Sequence, residues 1–155
     1  MQRLHVWLTQ RNKTLSVAES CSGGNIAHII TSNSGSSAYF IGGVVAYQNA
    51  VKQNVLNVKA ADLKTYGAVS ETVAIQMASG VRALLNTDYS ISTTGIAGPT
   101  GGSDEKPVGT VWIGISSMNG TYAQKFIFSG TRSEVIEKST KKALQMLEDL
   151  AFKEE

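Results

Sequence analysis

Segments with strand character alternate with segments of helical spacing along the first two thirds of this chain, and a hairpin of strands follows. Strands are predicted at 14–18, 39–47, 88–94, 108–116 and 121–128, and helices at 2–11, 26 to about 34, 49–56, 71–86 and 132–150, with a turn around 60–66. Val73, Met77 and Val81 form the clearest apolar helix stripe, and Asn119–Gly120 is the strongest hairpin signal. The alternation favours an α/β sandwich in which a mixed sheet carries helices on both faces.

Length and composition narrow the class of protein further. A chain of 155 residues fits one domain, and its 42% of apolar residues is enough for a packed core. The longest apolar stretches are far shorter than the roughly 20 residues that cross a bilayer, and the N-terminus has no apolar signal-peptide segment. We therefore expect a single cytoplasmic domain, 1–155, that makes no membrane contact.

The charged and metal-binding residues exclude other classes. Lys plus Arg number 14 and Asp plus Glu number 12, and the one adjacent basic pair is Lys141–Lys142, so the basic stripe of a nucleic-acid binder is missing. Cys21 is the only cysteine, and His5 and His28 are the only histidines. These counts rule out an internal disulfide and a Cys–His metal cluster, and we expect no bound metal.

The segment after the first predicted strand has the composition of a ligand loop. It reads Glu19-Ser20-Cys21-Ser22-Gly23-Gly24 and leads into a helix. Glycines let the backbone approach a ligand, and the N–H groups at a helix start suit a phosphate or a developing oxyanion. Two hydroxyls and a thiol within three residues also make a nucleophile possible. A plain strand-to-helix turn with small residues explains the segment equally well.

A second glycine-rich segment, 95–107, follows the strand predicted at 88–94. It begins Gly95-Ile96-Ala97-Gly98-Pro99 and matches neither a phosphate-binding P-loop nor a dinucleotide fingerprint. Ligand sites of α/β sheets lie beyond the carboxyl ends of strands, where both glycine-rich segments fall. A ligand-facing loop and a flexible connector remain equal alternatives here.

The usual catalytic sets are not supported by the residues present. A Ser–His–Asp triad would need His5 or His28, and Cys21 is better explained as a small buried thiol. A serine activated by a neutral, desolvated lysine is chemically open, because such an amine can act as a base near neutral pH. The lysines considered for that role are Lys52, Lys64, Lys106 and Lys125. Their spacing does not choose among them.

Five segments in order resemble the CinA C-terminal domain family, in its stand-alone form, the nicotinamide mononucleotide deamidase (PncC) type. The resemblance covers nearly the whole chain and rests on the segments 17–24, 42–52, 67–70, 94–111 and 128–132. It implies a three-layer α/β/α sandwich with a five-stranded mixed sheet. It also implies hydrolysis of the carboxamide of nicotinamide mononucleotide to nicotinic acid mononucleotide and ammonia, without a metal or organic cofactor.

The resemblance also implies roles for single residues. The family's nucleophilic serine falls on Ser20, its lysine on Lys52 and a tyrosine on Tyr47. Residues expected to contact the substrate are Glu19, Cys21, Ser22, Gly23, Gly24, Asn49, Thr94, Gly95, Ala97, Gly98 and Arg132. Ser22 and Thr100 depart mildly from the family pattern, which often has Thr and Asp there.

Three further expectations concern partners and alternatives. Nicotinamide mononucleotide is the expected small-molecule partner, no nucleic acid is expected, and a homo-oligomer is implied. A non-catalytic nucleotide- or partner-binding module and a DNA-processing accessory role are the competing functions. Ser20, Tyr47 and Lys52 argue against the first, and the missing basic stripe argues against the second.

Overall fold

The computed structural model describes residues 1–154 and contains six α-helices and five strands within that range. The helices are α1 (Gln2–Gln10), α2 (Asn25–Thr31), α3 (Asn49–Asn54), α4 (Ala60–Tyr66), α5 (Glu71–Leu85) and α6 (Arg132–Ala151). The strands are β1 (Leu15–Glu19), β2 (Phe40–Val45), β3 (Tyr89–Gly95), β4 (Thr110–Ser117) and β5 (Gly120–Ile127). Of the helices in the described range, none combines the length and apolar character that a bilayer crossing requires.

All five strands belong to one sheet of order β2-β1-β3-β4-β5. Strand β1 runs parallel to both of its neighbours, β2 and β3. Strand β4 runs antiparallel to both of its neighbours, β3 and β5, and β4 and β5 form the hairpin. The five-stranded mixed sheet of an α/β fold is therefore confirmed.

Three local features differ from the sequence-based expectation, in addition to shifts of one or two residues at other strand and helix ends. The helix predicted from residue 26 to about 34 ends at Thr31, and a 3-10 turn at Ser36–Ala38 follows it. The turn expected around 60–66 is a complete helix. The hairpin turn lies one residue earlier than predicted, because Ser117 pairs with Gly120 across the ladder and leaves Met118 and Asn119 as the loop.

Helices cover both faces of the sheet and create two apolar cores. One core joins α1, α2 and α6 to the sheet and is built from large buried side chains such as Leu4, Ile30 and Leu147. The other packs α5 against the α3–α4 segment through Met77, Val81 and their neighbours. Each fully buried aliphatic or Met side chain contributes about 1.5–3 kcal/mol of transfer free energy. The apolar stripe predicted for α5 is the face that forms the second core, and α6 buries Val135, Ala143 and Leu147 in the first.

Helix α5 lies unusually close to the chain on both of its sides. On the sheet side, the hydroxyls of Ser90 and Ser92 donate to the carbonyl oxygens of Ala78 and Ala74 at 2.7 and 2.6 Å. On the other side, a Cβ added at Gly80 would lie 2.0 Å from the carbonyl oxygen of Leu56. These contacts fix α5 between the sheet and the segment that carries α3.

The parallel pairing of β1 and β3 decides where the two glycine-rich segments meet. Glu19, the last residue of β1, lies opposite Thr93 in β3. The carboxyl ends of both strands therefore open at the same edge of the sheet, which is where ligand sites of α/β sheets form. The Ser20–Gly24 turn and the loop after Gly95 come together at this edge.

Candidate active site

Ser20 and Lys52 meet at the carboxyl end of β1. Ser20 is the first residue after the strand, and its N–H donates to the carbonyl oxygen of Thr93 at 2.9 Å. Lys52 lies on α3, and its Nζ is 3.0 Å from the Oγ of Ser20. The two atoms are within the distance at which a base activates a nucleophile. Among the four candidate lysines, the fold brings Lys52 to this serine.

The environment of Lys52 favours a neutral amine. Its side chain is 1% exposed, and its second hydrogen-bond partner is the carbonyl oxygen of Ala46 at 2.7 Å. Both oxygens are uncharged, and no carboxylate within residues 1–154 forms an ion pair with Lys52. Burial lowers the pKa of Lys52 from its ordinary value of 10.5, and the nearby Cys21 opposes this to a smaller extent.

Cys21 is placed beside Ser20 but remains a thiol. Its side chain is 6% exposed. Burial raises the pKa of Cys21 to about 12 and the charge of Glu19 adds to this, although the backbone N–H groups of Cys21 and Ser22 oppose it. A thiol that keeps its proton at neutral pH is a poor nucleophile. Ser20 is therefore the better nucleophile of the two.

Ser20 and Lys52 open into a cavity of about 290 Å³. Ten of the residues expected at the site lie on its wall: Ser20, Cys21, Tyr47, Asn49, Lys52, Thr94, Gly95, Ala97, Gly98 and Arg132. The wall also includes residues that the expected set omitted: Ala68, Val69, Ile96, Thr100 and Gly101. A larger groove of about 630 Å³ is lined largely by α6, with residues of α1 and α2, and it includes neither Ser20 nor Lys52.

Two of the omitted wall residues could have been identified from the sequence. Ala68 and Val69 belong to the segment 67–70, which is part of the family resemblance, yet apolar residues in a turn gave no chemical reason to include them. The structure supplies that reason, because the hydroxyl of Thr94 donates to the carbonyl oxygen of Ala68 at 2.8 Å. This bond joins the 67–70 turn to the end of β3.

Four expected residues do not line the cavity, namely Glu19, Ser22, Gly23 and Gly24. Glu19 is 0% exposed and Ser22 is 3% exposed. The carboxylate of Glu19 accepts hydrogen bonds from the hydroxyl of Ser22 and from backbone N–H groups at the start of α2. The polar side-chain atoms of Glu19 and Ser22 are therefore used within the protein, and contact of these two residues with substrate stays a prediction. The same carboxylate accepts a hydrogen bond from the N–H of Gly24, so this N–H is not available to an oxyanion.

Arg132, the first residue of α6, joins two walls of the cavity. Its Nη1 donates to the carbonyl oxygen of Gly98, and its Nη2 donates to the hydroxyl of Tyr47, both at 2.7 Å. The phenol of Tyr47 thus contacts Arg132, and no hydrogen bond joins it to Ser20 or Lys52 within the described residues. A guanidinium has five N–H donors, so Arg132 retains donors for a ligand.

The charges and free donors of the cavity suit an anionic ligand. Lys52 and Arg132 are its two basic side chains, and its wall within residues 1–154 includes no Asp or Glu. The N–H of Ile96 donates to Thr110, but the next two N–H groups, of Ala97 and Gly98, have no acceptor in the described chain. Unused backbone donors near a guanidinium are typical of phosphate sites.

Comparison with protein families and curated proteins identifies relatives over almost the whole chain. The CinA C-terminal domain model matches residues 1–151. A CinA-like protein of Acaryochloris marina is 53% identical over 142 residues, which are 90% of this chain and 34% of the relative. A putative competence-damage inducible protein of a Thermoanaerobacter species is 47% identical over 148 residues, or 95% of this chain and 36% of the relative. The chain thus spans about a third of these curated relatives.

Solved structures show the same fold at nearly equal length. The competence/damage inducible protein CihA of Agrobacterium tumefaciens superposes with a TM-score of 0.94 at 38% identity, covering 96% of this chain and 92% of that one. The competence damage-inducible protein A (ComA) of Klebsiella pneumoniae gives a TM-score of 0.92 at 36% identity, with the same coverage. Together with the family match, these similarities show that the chain belongs to the CinA C-terminal domain family.

Proposed function

We propose that this chain is a nicotinamide-nucleotide amidohydrolase that converts nicotinamide mononucleotide and water to nicotinic acid mononucleotide and ammonia. One observation carries the proposal: the Nζ of a fully buried lysine, which pairs with no carboxylate of residues 1–154, lies 3.0 Å from the Oγ of a serine at a cavity wall. Amide hydrolysis needs a nucleophile, a base that later protonates the leaving amine, and donors for an oxyanion. The cavity offers all three.

The first half of the reaction forms an acyl-enzyme. The neutral amine of Lys52 takes the hydroxyl proton of Ser20 as Oγ attacks the carboxamide carbon, and the carbonyl oxygen gains the negative charge. The carbonyl oxygen of Ala46 holds one N–H of the amine and supports the ammonium that forms. When the C–N bond breaks, Lys52 returns the proton to the nitrogen, which leaves as ammonia.

The second half regenerates the serine. Lys52 takes a proton from a water molecule as the water oxygen attacks the acyl carbon, and then returns that proton to Oγ as the ester bond breaks. The product is a carboxylic acid that loses its proton to solvent. Since one amine gives and takes every proton, the cycle needs no histidine at the site.

Oxyanion and phosphate are best served by different parts of the cavity. The N–H groups of Cys21 and Ser22, directly after Ser20, donate to no oxygen atom of residues 1–154 and suit the oxyanion. Arg132 and the free N–H groups of Ala97 and Gly98 suit the phosphate. The substrate would therefore lie with its carboxamide at Ser20 and its phosphate at the start of α6.

The direct test is ammonia release from nicotinamide mononucleotide by purified, chelator-treated protein. We expect stoichiometric ammonia and nicotinic acid mononucleotide, measured by enzymatic ammonia assay and by chromatography. The protein with Ser20 changed to Ala serves as the control for contaminating amidases. Folded wild-type protein that releases no more ammonia than this control would contradict the proposal.

A further inference from the structure

A buried network next to Ser20 is not used by the reaction just described. Its centre is the carboxylate of Glu19, which is 0% exposed. Oε1 accepts the N–H of Ala27 at 2.8 Å, and Oε2 accepts the N–H groups of Gly24 and Ile26 at 3.0 and 3.1 Å. Oε2 also accepts the hydroxyl of Ser22 at 2.6 Å. One side chain thus binds the turn that carries Ser20 to the first turn of α2.

The network continues from Ser22 to the neighbouring strand. The Oγ of Ser22 lies 2.6 Å from the Oγ1 of Thr93. The single hydrogen of Ser22 is donated to Glu19, so the hydroxyl of Thr93 donates to Ser22. The backbone of Thr93 accepts the N–H of Ser20. The Ser20 turn is therefore fastened to β3 on both sides of Cys21, by a backbone bond at Ser20 and by a hydroxyl bond at Ser22.

The hydrogen bonds of Glu19 also fix the conformation of the turn that carries Ser20. The start of α2 has no side-chain cap from its own N-cap residue, Gly24, and the buried charge of Glu19 replaces it from the preceding strand. A buried charge is costly unless it is fully hydrogen-bonded, so the turn is held in the one geometry that satisfies Glu19. In that geometry Oγ of Ser20 faces Nζ of Lys52.

We propose that Glu19, acting through Ser22 and Thr93, is the positioning residue that holds the Ser20 hydroxyl against Lys52. The inference rests on the proposed function for its role in turnover, and it extends that function to side chains that touch neither substrate nor the reacting atoms. A positioning error of about 1 Å can cost roughly 100-fold in rate. Loss of the network should therefore lower kcat far more than it changes KM.

The experiment removes one link of the network and compares it with a matched site. Ser22→Ala breaks the link between Glu19 and Thr93, whereas Ser90→Ala removes another buried hydroxyl, whose hydrogen bond within residues 1–154 goes to Ala78 on α5. Both variants should lose a similar, small amount of Tm. We expect roughly 10- to 100-fold lower kcat with little change of KM for Ser22→Ala, wild-type kcat for Ser90→Ala, and recovery of most of the rate in Ser22→Thr, which restores the hydroxyl. The kcat of Glu19→Gln should fall at least as far as that of Ser22→Ala.

A second readout separates this inference from the choice of substrate. The nucleophilicity of Ser20 is measured directly by its reaction with a fluorophosphonate, in which Oγ displaces fluoride at phosphorus, followed by mass spectrometry of the labelled peptide. Slower labelling of Ser22→Ala than of Ser90→Ala supports the positioning role even if wild-type protein does not cleave the carboxamide, a result that would contradict only the proposed function. Equal labelling and equal kcat of the two variants, or no labelling of wild-type Ser20, would overturn the positioning role.

Discussion

The amine of Lys52 and the hydroxyl of Ser20 lie 3.0 Å apart although 32 residues separate them in the chain. Two features of the fold produce this contact. The parallel pairing of β1 and β2 brings the ends of both strands to one edge of the sheet, and α3 begins four residues after β2. The lysine therefore points back over the end of β1 and is fully buried there.

The first prediction concerns the nucleophile. Ser20→Ala should abolish ammonia release while leaving the circular dichroism spectrum and Tm close to wild type, because the change removes one hydroxyl. Ser36 is a matched control, since it is as little exposed as Ser20, at 8%, but lies outside the cavity wall. Ser36→Ala should keep wild-type kcat. An equal loss of ammonia release in both variants would indicate a folding defect and would contradict the assignment of Ser20 as the nucleophile.

The second prediction concerns the base. Because burial lowers the pKa of Lys52, kcat/KM should rise with pH through that lowered value as the amine loses its proton. Lys52→Arg retains a cation that does not lose its proton at ordinary pH, so it should be nearly as inactive as Lys52→Ala. A pH–rate profile of wild type and a steady-state assay of both variants test this. Substantial activity in Lys52→Arg would show that positive charge alone is required.

The third prediction follows from the same shift but concerns stability. Between the lowered pKa of Lys52 in the folded protein and its ordinary value of 10.5, the unfolded chain binds more protons at this site than the folded chain. The free energy of unfolding should therefore rise with pH across that window, by up to about 1.4 kcal/mol per pH unit from this group. Lys52→Met is the reference because it has no titratable amine at this position. Urea unfolding at several pH values should show the wild type gaining stability relative to Lys52→Met as pH rises towards 10.5, and a constant difference would contradict the burial of a neutral amine.

The fourth prediction concerns Arg132 and the phosphate. A charge-assisted hydrogen bond contributes roughly 1.5–3 kcal/mol, which corresponds to about a 10- to 150-fold change of affinity. Arg132→Ala should raise KM for nicotinamide mononucleotide within that range and should have a far smaller effect on nicotinamide riboside, which has no phosphate. Lys141→Ala, another cation of α6 that lies on the separate groove, is the control and should change neither KM. If Arg132→Ala raises KM equally for both substrates, the bonds of Arg132 to Tyr47 and Gly98 support the cavity, and Arg132 does not bind the phosphate.

The fifth prediction concerns the packing of α5. Gly→Ala inside a helix ordinarily stabilises it by about 1 kcal/mol. At Gly80 the added Cβ would meet the carbonyl oxygen of Leu56 at 2.0 Å, so the backbone contact must open. The steric cost exceeds the helical gain, and Gly80→Ala should lower Tm. Its exposed neighbour Ser79 is the control: Ser79→Ala should leave Tm unchanged or raise it slightly. A higher Tm for Gly80→Ala would show that α5 and Leu56 can separate without cost.

The architecture was largely predictable because it depends on local patterns. Periodic apolar residues located α5 and α6, and β-branched runs located the strands to within two residues. The hairpin turn was placed one residue late because Gly120 carries a positive φ of 142° within the first pair of β5 and is not a central loop residue. A glycine in the sequence marks the need for such a backbone angle but does not fix its place in the turn.

The candidate site was predictable only in part. Four lysines were chemically equal in the sequence, and what distinguishes Lys52 is burial beside Ser20, which depends on the packing of α3 over the sheet edge. Family resemblance selected it; residue spacing did not. The family resemblance also assigned Glu19 to the substrate. Its bonds to the start of α2 depend on the fold of a turn that contains two glycines with positive φ, Gly23 and Gly24.

The carboxylate of Glu19 at the start of α2 also makes the two ends of the cavity electrostatically different. At the Ser20 end, the carboxylate of Glu19 accepts the N–H groups at the start of α2, and burial lowers the pKa of Lys52. At the opposite end, the guanidinium of Arg132 is always ionised. We therefore expect a molecule with one anionic and one uncharged end to turn its anionic end towards Arg132 as it approaches. The uncharged end is then the one that arrives at the serine.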